Sequence, residues 1–571
     1  MTNLQIAQIF YEIADLLELQ GIDWKPNAYR KAARSIEALQ QDVSEIYSTK
    51  GFKGLLEISG VGEGLGKKIE EFIETGKIRE YEKVKSSIPE GVEELMHVQS
   101  LGPKKAFRLY NELGIKNVSQ LERAAKEGKI SILKGFGEKS EKDILEGLDL
   151  VRKGKERMLL GNALPIARQL EFYLRKINGV ESVQVAGSIR RRKETVKDID
   201  ILVIAKNPEK VMNAFSSMPN ISKVLAKGET KCSVILKEGL NADVRIVPKK
   251  SYGAAMQYFT GNKDHNIIMR QMAIKKGWKL NEYGLFNLKT NKQLAGETEE
   301  QVYKKLGLNY IEPELRENTD ELKTKLPKLI QYNSIKGDLH LHTNWSDGNN
   351  TTEEMVNAAI KLGYEYIAIT DHSKSERIAN GLDEKRLAKH IEEIELLQKK
   401  YPQIKILKGA EVDILRDGEL DYADKTLSQL DVVVTSVHSG FKMNKEEMTK
   451  RILSALDNPH TTILGHPTGR LINQRNPYEV DMSKVINSAK ENNVLLEINS
   501  FPSRLDLNDV NIKSAVESGA KLCINTDSHS KEHLNLIEFG IAQARRGWAE
   551  EKDVVNTWKW REFERFLTRK K

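Results

Sequence analysis

Two cysteines, Cys232 and Cys523, are all that this chain of 571 residues carries. No disulfide framework can staple it, and a reducing cytoplasm is the expected setting. Long apolar runs are missing too: no stretch approaches the roughly 18 residues that span a bilayer. The opening MTNLQIAQIFYEIADLLELQ mixes acids into its apolar positions, which reads against a secretory leader. No membrane partner is therefore expected. What remains is 30% charged and 39% hydrophobic, a globular composition long enough for two to four domains. A net charge of +8 favours a polyanionic partner only mildly. Position says more than the total, because cations gather at Arg190, Arg191, Arg192 and Lys193, and again at Lys67 and Lys68.

From Leu4 to about Lys155, short amphipathic helices alternate with glycine-containing turns. LLEISGVGEGLGKKIEEFI (55–73) and ISILKGFGEKSEKDILEGL (130–148) share an apolar helix end, a G-x-G turn (Gly60 and Gly62; Gly135 and Gly137) and a second helix. LMHVQSLGPKKAFRLYNEL (95–113) is a weaker copy, with Gly102 in its turn but Ser100 where the others carry Gly60 and Gly135. Such a turn lets the backbone approach a ligand closely and points the next helix's free amides outward, which suits one backbone phosphate. Repeated copies, flanked by Lys67, Lys68, Lys104, Lys105 and Lys139, would grip DNA without reading its sequence. These segments resemble helix-hairpin-helix motifs, the middle one imperfectly.

In VESVQVAGSIRRRKETVKDIDILVIAK (180–206) a short strand ends at Gly187-Ser188, and DIDILVIA reads as a second strand. Side chains alternate along a strand, so Asp198 and Asp200 share a face and Ile199 takes the other. NADVRIV (241–247) supplies Asp243 on another short strand. Carboxylates this close repel unless a cation lies between them. Three could hold two divalent ions in the geometry that moves a nucleotidyl group, with Ser188 and Arg191 placed for the phosphates.

Gly187-Ser188, Arg191, Asp198-x-Asp200 and Asp243 resemble the palm of family X DNA polymerases, and YFTGNKDHNIIMRQMAIKKGWKLNEYGLF (258–286) continues the likeness. The resemblance implies Mg2+ or Mn2+ in the palm and a nucleotide pocket of Ser188, Arg191, Tyr258, Phe259, Gly261, Asn266 and Arg270. Tyr258 and Phe259 would pack around the sugar, Asn266 would lie near the base edge, and Arg270 would probe the template. Lys263 departs from the better-known vertebrate members, which carry an acid there. NAYRKAARSI resembles the family's small lyase domain, whose Schiff-base lysine falls at Lys68. A cationic neighbour such as Lys67 could activate that amine, although adjacent side chains diverge on a helix.

After residue 335, strand-like runs separated by helical stretches end repeatedly in potential ligands. DLHLHTNWSDG supplies His340, His342 and Asp347, and YIAITDHS supplies His372. Later runs end at Glu411, His438 and His466, and LCINTDSHS brings Asp527 and His529. The alternation describes a β/α barrel with its site at the C-terminal strand ends. Imidazoles with carboxylates and no thiolates suit zinc, manganese or iron.

This recurrence resembles the polymerase-and-histidinol-phosphatase (PHP) domain, a distorted seven-stranded barrel holding up to three ions, Zn2+ and/or Mn2+. By that resemblance His340, His342, Glu411 and Asp527 hold one ion. Glu411 bridges to a second with His438 and His466, while Asp347, His372 and His529 hold the third. A metal-activated water would attack phosphorus. Arg504 and Lys374 are weaker candidates for phosphate contacts.

The expected architecture is multidomain: helical lyase-like region (1–85), fingers with helix-hairpin-helix motifs (86–155), α+β nucleotidyltransferase palm (156–250), thumb (251–315), linker (316–334) and distorted (β/α)7 PHP barrel (335–571). The resemblances imply a monomeric, nucleoid-associated repair polymerase. It would use dNTPs on duplex DNA with gaps, nicks or recessed 3′ ends in base excision repair. The barrel would act as a 3′–5′ exonuclease, as a remover of 3′ blocks or as an abasic-site endonuclease. Two other classes compete: a small-molecule phosphoesterase with a DNA-binding appendage, and a non-catalytic repair scaffold.

Overall fold

The computed structural model describes residues 2–19, 25–37, 39, 42–86, 95, 98, 101 and 103–570. Two compact units result: residues 1–155 with 331–541 and 551–571, and residues 156–330 with 542–550.

In the first unit, helices Thr2–Leu19, Lys25–Glu37, Val43–Leu56 and Glu63–Thr75 enclose one apolar core. Ile6, Phe10, Ile13 and Leu17 recur at helical spacing and are buried together against Tyr29, Ala33, Ile36 and Ile69. Helices Pro103–Leu113, Val118–Lys126 and Glu138–Glu156 build a second core around Leu109, Leu121, Ile130, Phe136 and Ile144. Gly60 and Gly135 adopt φ of 74° and 85° in the outer two hairpin turns, a conformation in which a side chain is strained. Gly102, in the middle turn, lies outside the described residues, as does the side chain of Lys104.

The barrel's seven strands are parallel and pair in chain order: Gly337–Leu341, Tyr366–Ile369, Lys405–Asp413, Val432–Ser436, Ile463–Leu464, Leu495–Asn499 and Leu522–Asn525. The strands are buried almost throughout, as expected of a parallel sheet covered by crossover helices. His342 N donates to Ser528 O at 2.8 Å, and Leu341 bridges Ser528, so the sheet curls until its first and last strands meet. Every ligand-bearing loop then opens at the same end.

The second unit carries a five-stranded sheet in the order Val180–Val185, Asp198–Ala205, Asn241–Ile246, Lys231–Leu236 and Ile221–Lys227. Only the pairing of Asp198–Ala205 with Asn241–Ile246 is parallel. Helices Tyr252–Thr260, Lys263–Lys275 and Glu299–Leu306 lie with a small antiparallel sheet, Trp278–Asn281, Gly284–Asn287 and Gln293–Ala295.

Two boundaries differ from the sequence reading. Residues 316–330 are no loose linker: Arg316 is fully buried and donates to Glu299 at 2.6 Å, and Glu321 accepts from His265 at 2.7 Å. Residues 542–550, expected within the barrel domain, belong to the second unit, where Arg545 donates to Glu314 at 2.7 Å and Arg546 to Glu317 at 3.2 Å. These ion pairs join residues more than two hundred apart, a separation that no local pattern reveals.

Candidate metal centre and nucleotidyl-transfer site

Glu411, buried inside the third barrel strand, is ringed by five imidazoles. Its carboxylate lies 3.4 Å from His340 Nε2, 3.5 Å from His342 Nε2, 3.0 Å from His372 Nδ1, 3.3 Å from His438 Nε2 and 3.0 Å from His466 Nε2. Asp527 approaches His342 Nε2 at 3.1 Å, and Asp347 approaches His529 Nε2 at 3.2 Å. The nitrogens His340 Nε2, both of His342, and His372 Nδ1 are buried without a hydrogen-bond partner. Buried polar atoms are rarely left so. A donor set of converging, unsatisfied imidazole nitrogens with carboxylates fits divalent cations.

The donor atoms fall into groups within coordinating reach: His340, His342 and Asp527; His372, Glu411 and His438; His342, Asp347, His372 and His529; and Glu376, Asp413 and His438. All nine residues named from the sequence converge here. The sharing is broader than the resemblance implied, since His342, His372 and His438 each belong to two groups.

Burial opposes charge throughout the cluster, so the neighbours decide each protonation state. Glu411 is held well below the usual carboxylate range by His372, His438 and His340 despite its burial. His438 is pushed up to about 10 against its burial by Glu411 and Asp413. His342 goes the other way, down to about 4, because burial is reinforced by His529 and His372.

Two carboxylates absent from the sequence reading orient the imidazoles. His340 Nδ1 donates to Glu497 Oε1 at 2.8 Å, and His438 Nδ1 to Asp413 Oδ1 at 2.5 Å. In both rings Nε2 is thereby turned to the cluster, the arrangement that fixes a tautomer for metal binding. Glu497 is itself held by His466 N at 2.7 Å and Asn525 Nδ2 at 2.9 Å. A charged residue inside the otherwise apolar run LLEI was the available signal. Glu497→Gln is expected to lower the barrel's metal affinity about 10–100-fold, measured by chelator competition, with the fold retained.

In the palm, the parallel register pairs Asp200 with Asp243, and Asp198 lies two residues back on the same face. Gly187 packs on this triad: a Cβ there would come within 2.7 Å of Asp200 Oδ2, and φ is 63°. Lys231 Nζ lies 3.1 Å from Asp243 and Arg245 3.5 Å, while the Arg245 guanidinium covers the Phe259 ring at 4.6 Å. Burial, then repulsion from Asp198 and Asp243, pushes Asp200 up to about 6. A divalent ion must displace that proton. Apparent Mg2+ affinity of the palm is therefore expected to hold above pH 6 and to fall with each further pH unit below it, which calorimetric titration at pH 5 and pH 7.5 checks.

The other residues assigned from the sequence are placed as follows. Arg191 donates from Nε to Glu317 at 2.9 Å and also bonds the Thr260 carbonyl. Asn266 is buried, donating to Tyr258 O at 2.7 Å and accepting from Gln257 at 2.6 Å, while Arg270 returns to Asn266 O. Tyr258 and Phe259 meet edge to face at 5.1 Å, and Gly261 ends their helix. Ser188 lies in the short helix Gly187–Arg190. Lys68 Nζ lies 3.0 Å from Glu80 and 5.8 Å over the Tyr29 ring, so its charged partner is an anion rather than the cation invoked for activation. Gly62, Lys67 and Gly137 are exposed, whereas Ser59, beside Gly60, donates to Asn350 of the barrel at 3.1 Å. Arg504 reaches Asp527 at 3.6 Å, whereas Lys374 pairs with Glu384 at 2.6 Å.

Comparison with known proteins matches these parts one by one: a helix-hairpin-helix domain over residues 1–78, a SAM-like helix-hairpin-helix tandem over 92–149, a DNA polymerase beta thumb over 255–317 and a PHP domain over 338–501. The chain belongs to the family X DNA polymerases that carry a PHP domain. A relative from Bacillus subtilis (strain 168), the DNA polymerase/3'-5' exonuclease PolX, is 40% identical over 574 residues, covering 100% of both chains. DNA polymerase lambda of Rattus norvegicus is 25% identical over 55% of this chain and 56% of its own. A probable phosphatase of Thermoanaerobacter sp. (strain X514) is 32% identical over 38% of this chain and 89% of its own. Among the described residues, no helix is long and apolar enough to cross a membrane.

Proposed function

We propose that this chain fills short gaps in duplex DNA by templated nucleotide addition in the palm and trims DNA 3′ ends by phosphodiester hydrolysis in the barrel. The observation that carries the reading is one chain, alignable end to end with the Bacillus relative, that holds both an aspartate triad on adjacent parallel strands and a buried imidazole–carboxylate cluster. Base excision repair by a monomer at the nucleoid is the setting this activity suits.

Asp198, Asp200 and Asp243 would hold Mg2+ or Mn2+, which supplies charge for ionising the primer 3′ hydroxyl and neutralising the triphosphate. Lys231 and Arg245 keep Asp243 oriented, and Phe259 fixes Arg245 beneath it. Ser188 and Arg191 contact the nucleotide phosphates, with Glu317 and the Thr260 carbonyl holding two of the Arg191 nitrogens in place. Tyr258 and Phe259 flank the sugar, and the bonds made by Asn266 and Arg270 stiffen the helix that faces the base pair.

In the barrel, Zn2+ or Mn2+ would polarise a water and the scissile phosphate. Glu497 and Asp413 orient the imidazoles, and Arg504 stands beside Asp527 for the phosphate. Extension of a one-nucleotide gap bearing a 5′ phosphate, compared with an open recessed end, tests the gap preference. Equal rates on both would contradict it.

Two further readings have support. The probable-phosphatase relative favours a small phosphoester as barrel substrate; turnover of p-nitrophenyl phosphate far above that of DNA ends would establish it. Lys68, partly buried over Tyr29, is the candidate amine for deoxyribose-phosphate lyase chemistry. Borohydride trapping on abasic DNA that survives Lys68→Ala would remove it.

A further inference from the structure

The helix Lys25–Glu37 of the amino-terminal region closes over the loop that carries Asp347. Asn349 Nδ2 donates to Ser35 Oγ at 2.6 Å and to Lys31 O at 3.3 Å, and Lys31 Nζ donates to Gly348 O at 3.4 Å. From the turn after the helix Val43–Leu56, Ser59 donates to Asn350 Oδ1 at 3.1 Å. Ser35 is fully buried, so these are bonds of a packed junction. The buried His533 ring joins the same helix to the metal centre: its Nε2 meets Arg34 O at 3.2 Å, and its Nδ1 accepts from His529 N at 3.2 Å.

Arg34 is the residue this packing delivers to the centre. Its NH1 lies 3.6 Å from Asp347 Oδ2, close enough for attraction but too long for a strong hydrogen bond. Its Nε is buried with no hydrogen-bond partner. A guanidinium on a partly exposed side chain, set beside the candidate hydrolytic cluster, matches the non-bridging oxygens of a phosphodiester. The barrel's own Arg504 stands 3.6 Å from Asp527, another ligand of the cluster.

We infer that Arg34, supplied by the amino-terminal helix, is a substrate-binding residue of the PHP centre that grips the phosphate of the DNA strand being hydrolysed, an assignment that rests on the hydrolytic reading proposed above. The amino-terminal helix is thereby a wall of the barrel's site. Asn349 and Ser35 set the reach of Arg34, and Lys31 adds a second positive charge at the rim.

The test uses the full-length, Mn2+-loaded protein as wild type, Arg34→Ala, Arg34→Lys and Asn349→Ala. Inorganic phosphate binding is followed by calorimetry. Shortening of a 5′-labelled recessed primer is followed without dNTPs, and its extension with them. Arg34→Ala should weaken phosphate binding about tenfold or more and lower kcat/KM for shortening about 10–100-fold, with extension unchanged. Arg34→Lys should recover part of both losses, and Asn349→Ala should weaken phosphate binding with Arg34 still present. Wild-type phosphate affinity and shortening in Arg34→Ala would overturn the assignment. A wild type that binds phosphate through Arg34 yet never shortens DNA would leave the assignment standing and overturn the activity instead.

Discussion

Glu411→Gln is expected to abolish phosphodiester hydrolysis, by on the order of 10³-fold or about 4 kcal/mol of transition-state stabilisation, while leaving primer extension intact. The size of the effect follows from position. One buried carboxylate lies within 3.5 Å of five candidate imidazole ligands, so removing its charge is felt by all of them. The amide is nearly the same shape but lacks the charge that offsets those of bound cations. Metal content measured on the purified variant should fall by at least one ion per chain.

The same change has a signature in metal-free protein. Burial disfavours charge on His340, His372 and His438, yet Glu497 with Glu411 raises the first, and Glu411 the other two, above the ordinary histidine value. A raised imidazole contributes stability that is fully present below the unfolded value near 6.5 and is lost as pH rises through the folded one. Glu411, held low, contributes above about 4.5. The deficit of Glu411→Gln should therefore be largest between about pH 5 and 6.5 and narrow toward pH 10, the region to which His438 is pushed. Thermal unfolding in chelator across that range checks it, and a deficit that grows with pH would count against the account.

The second large effect belongs to the palm. Asp200→Asn should lower extension on the order of 10³-fold with trimming untouched, because the register places this carboxylate between Asp198 and Asp243, where two cations would be shared. Removing it should also raise stability. Asp200 is pushed up to about 6 by burial and like charge, so ionising it weakens the metal-free fold as pH rises from about 4 to 6. At pH 7 the metal-free variant should be more stable than wild type by about 1–3 kcal/mol, a trade of stability for function common at active sites. Saturating Mg2+ should reverse the order. A variant less stable than wild type without metal would show that Asp200 is a structural group.

Much of this was legible in the sequence because strand geometry makes it so. A parallel barrel brings all its strand ends to one rim, so histidines and acids recurring after β-runs had to converge. The two-residue period of a strand likewise put Asp198 and Asp200 on one face. Glu497 and Asp413 escaped because each bonds the far nitrogen of a ring on another strand or the loop after it, a contact that no spacing in the sequence marks. The setting of Arg191 against Glu317, 126 residues away, and of Arg34 against Asp347 depends on tertiary packing that periodicity does not encode. The orientation of Lys68 toward Glu80 belongs with them.

A single primer assay tests whether one chain holds two independent phosphoryl-transfer centres. A 5′-labelled primer on a one-nucleotide gap is followed with Mn2+, with and without dNTPs, for wild type, Asp198→Ala/Asp200→Ala and His340→Ala/His342→Ala. The palm variant should only shorten the primer, and the barrel variant should only extend it. Extension surviving in the palm variant, or shortening surviving in the barrel variant, would contradict two independent centres.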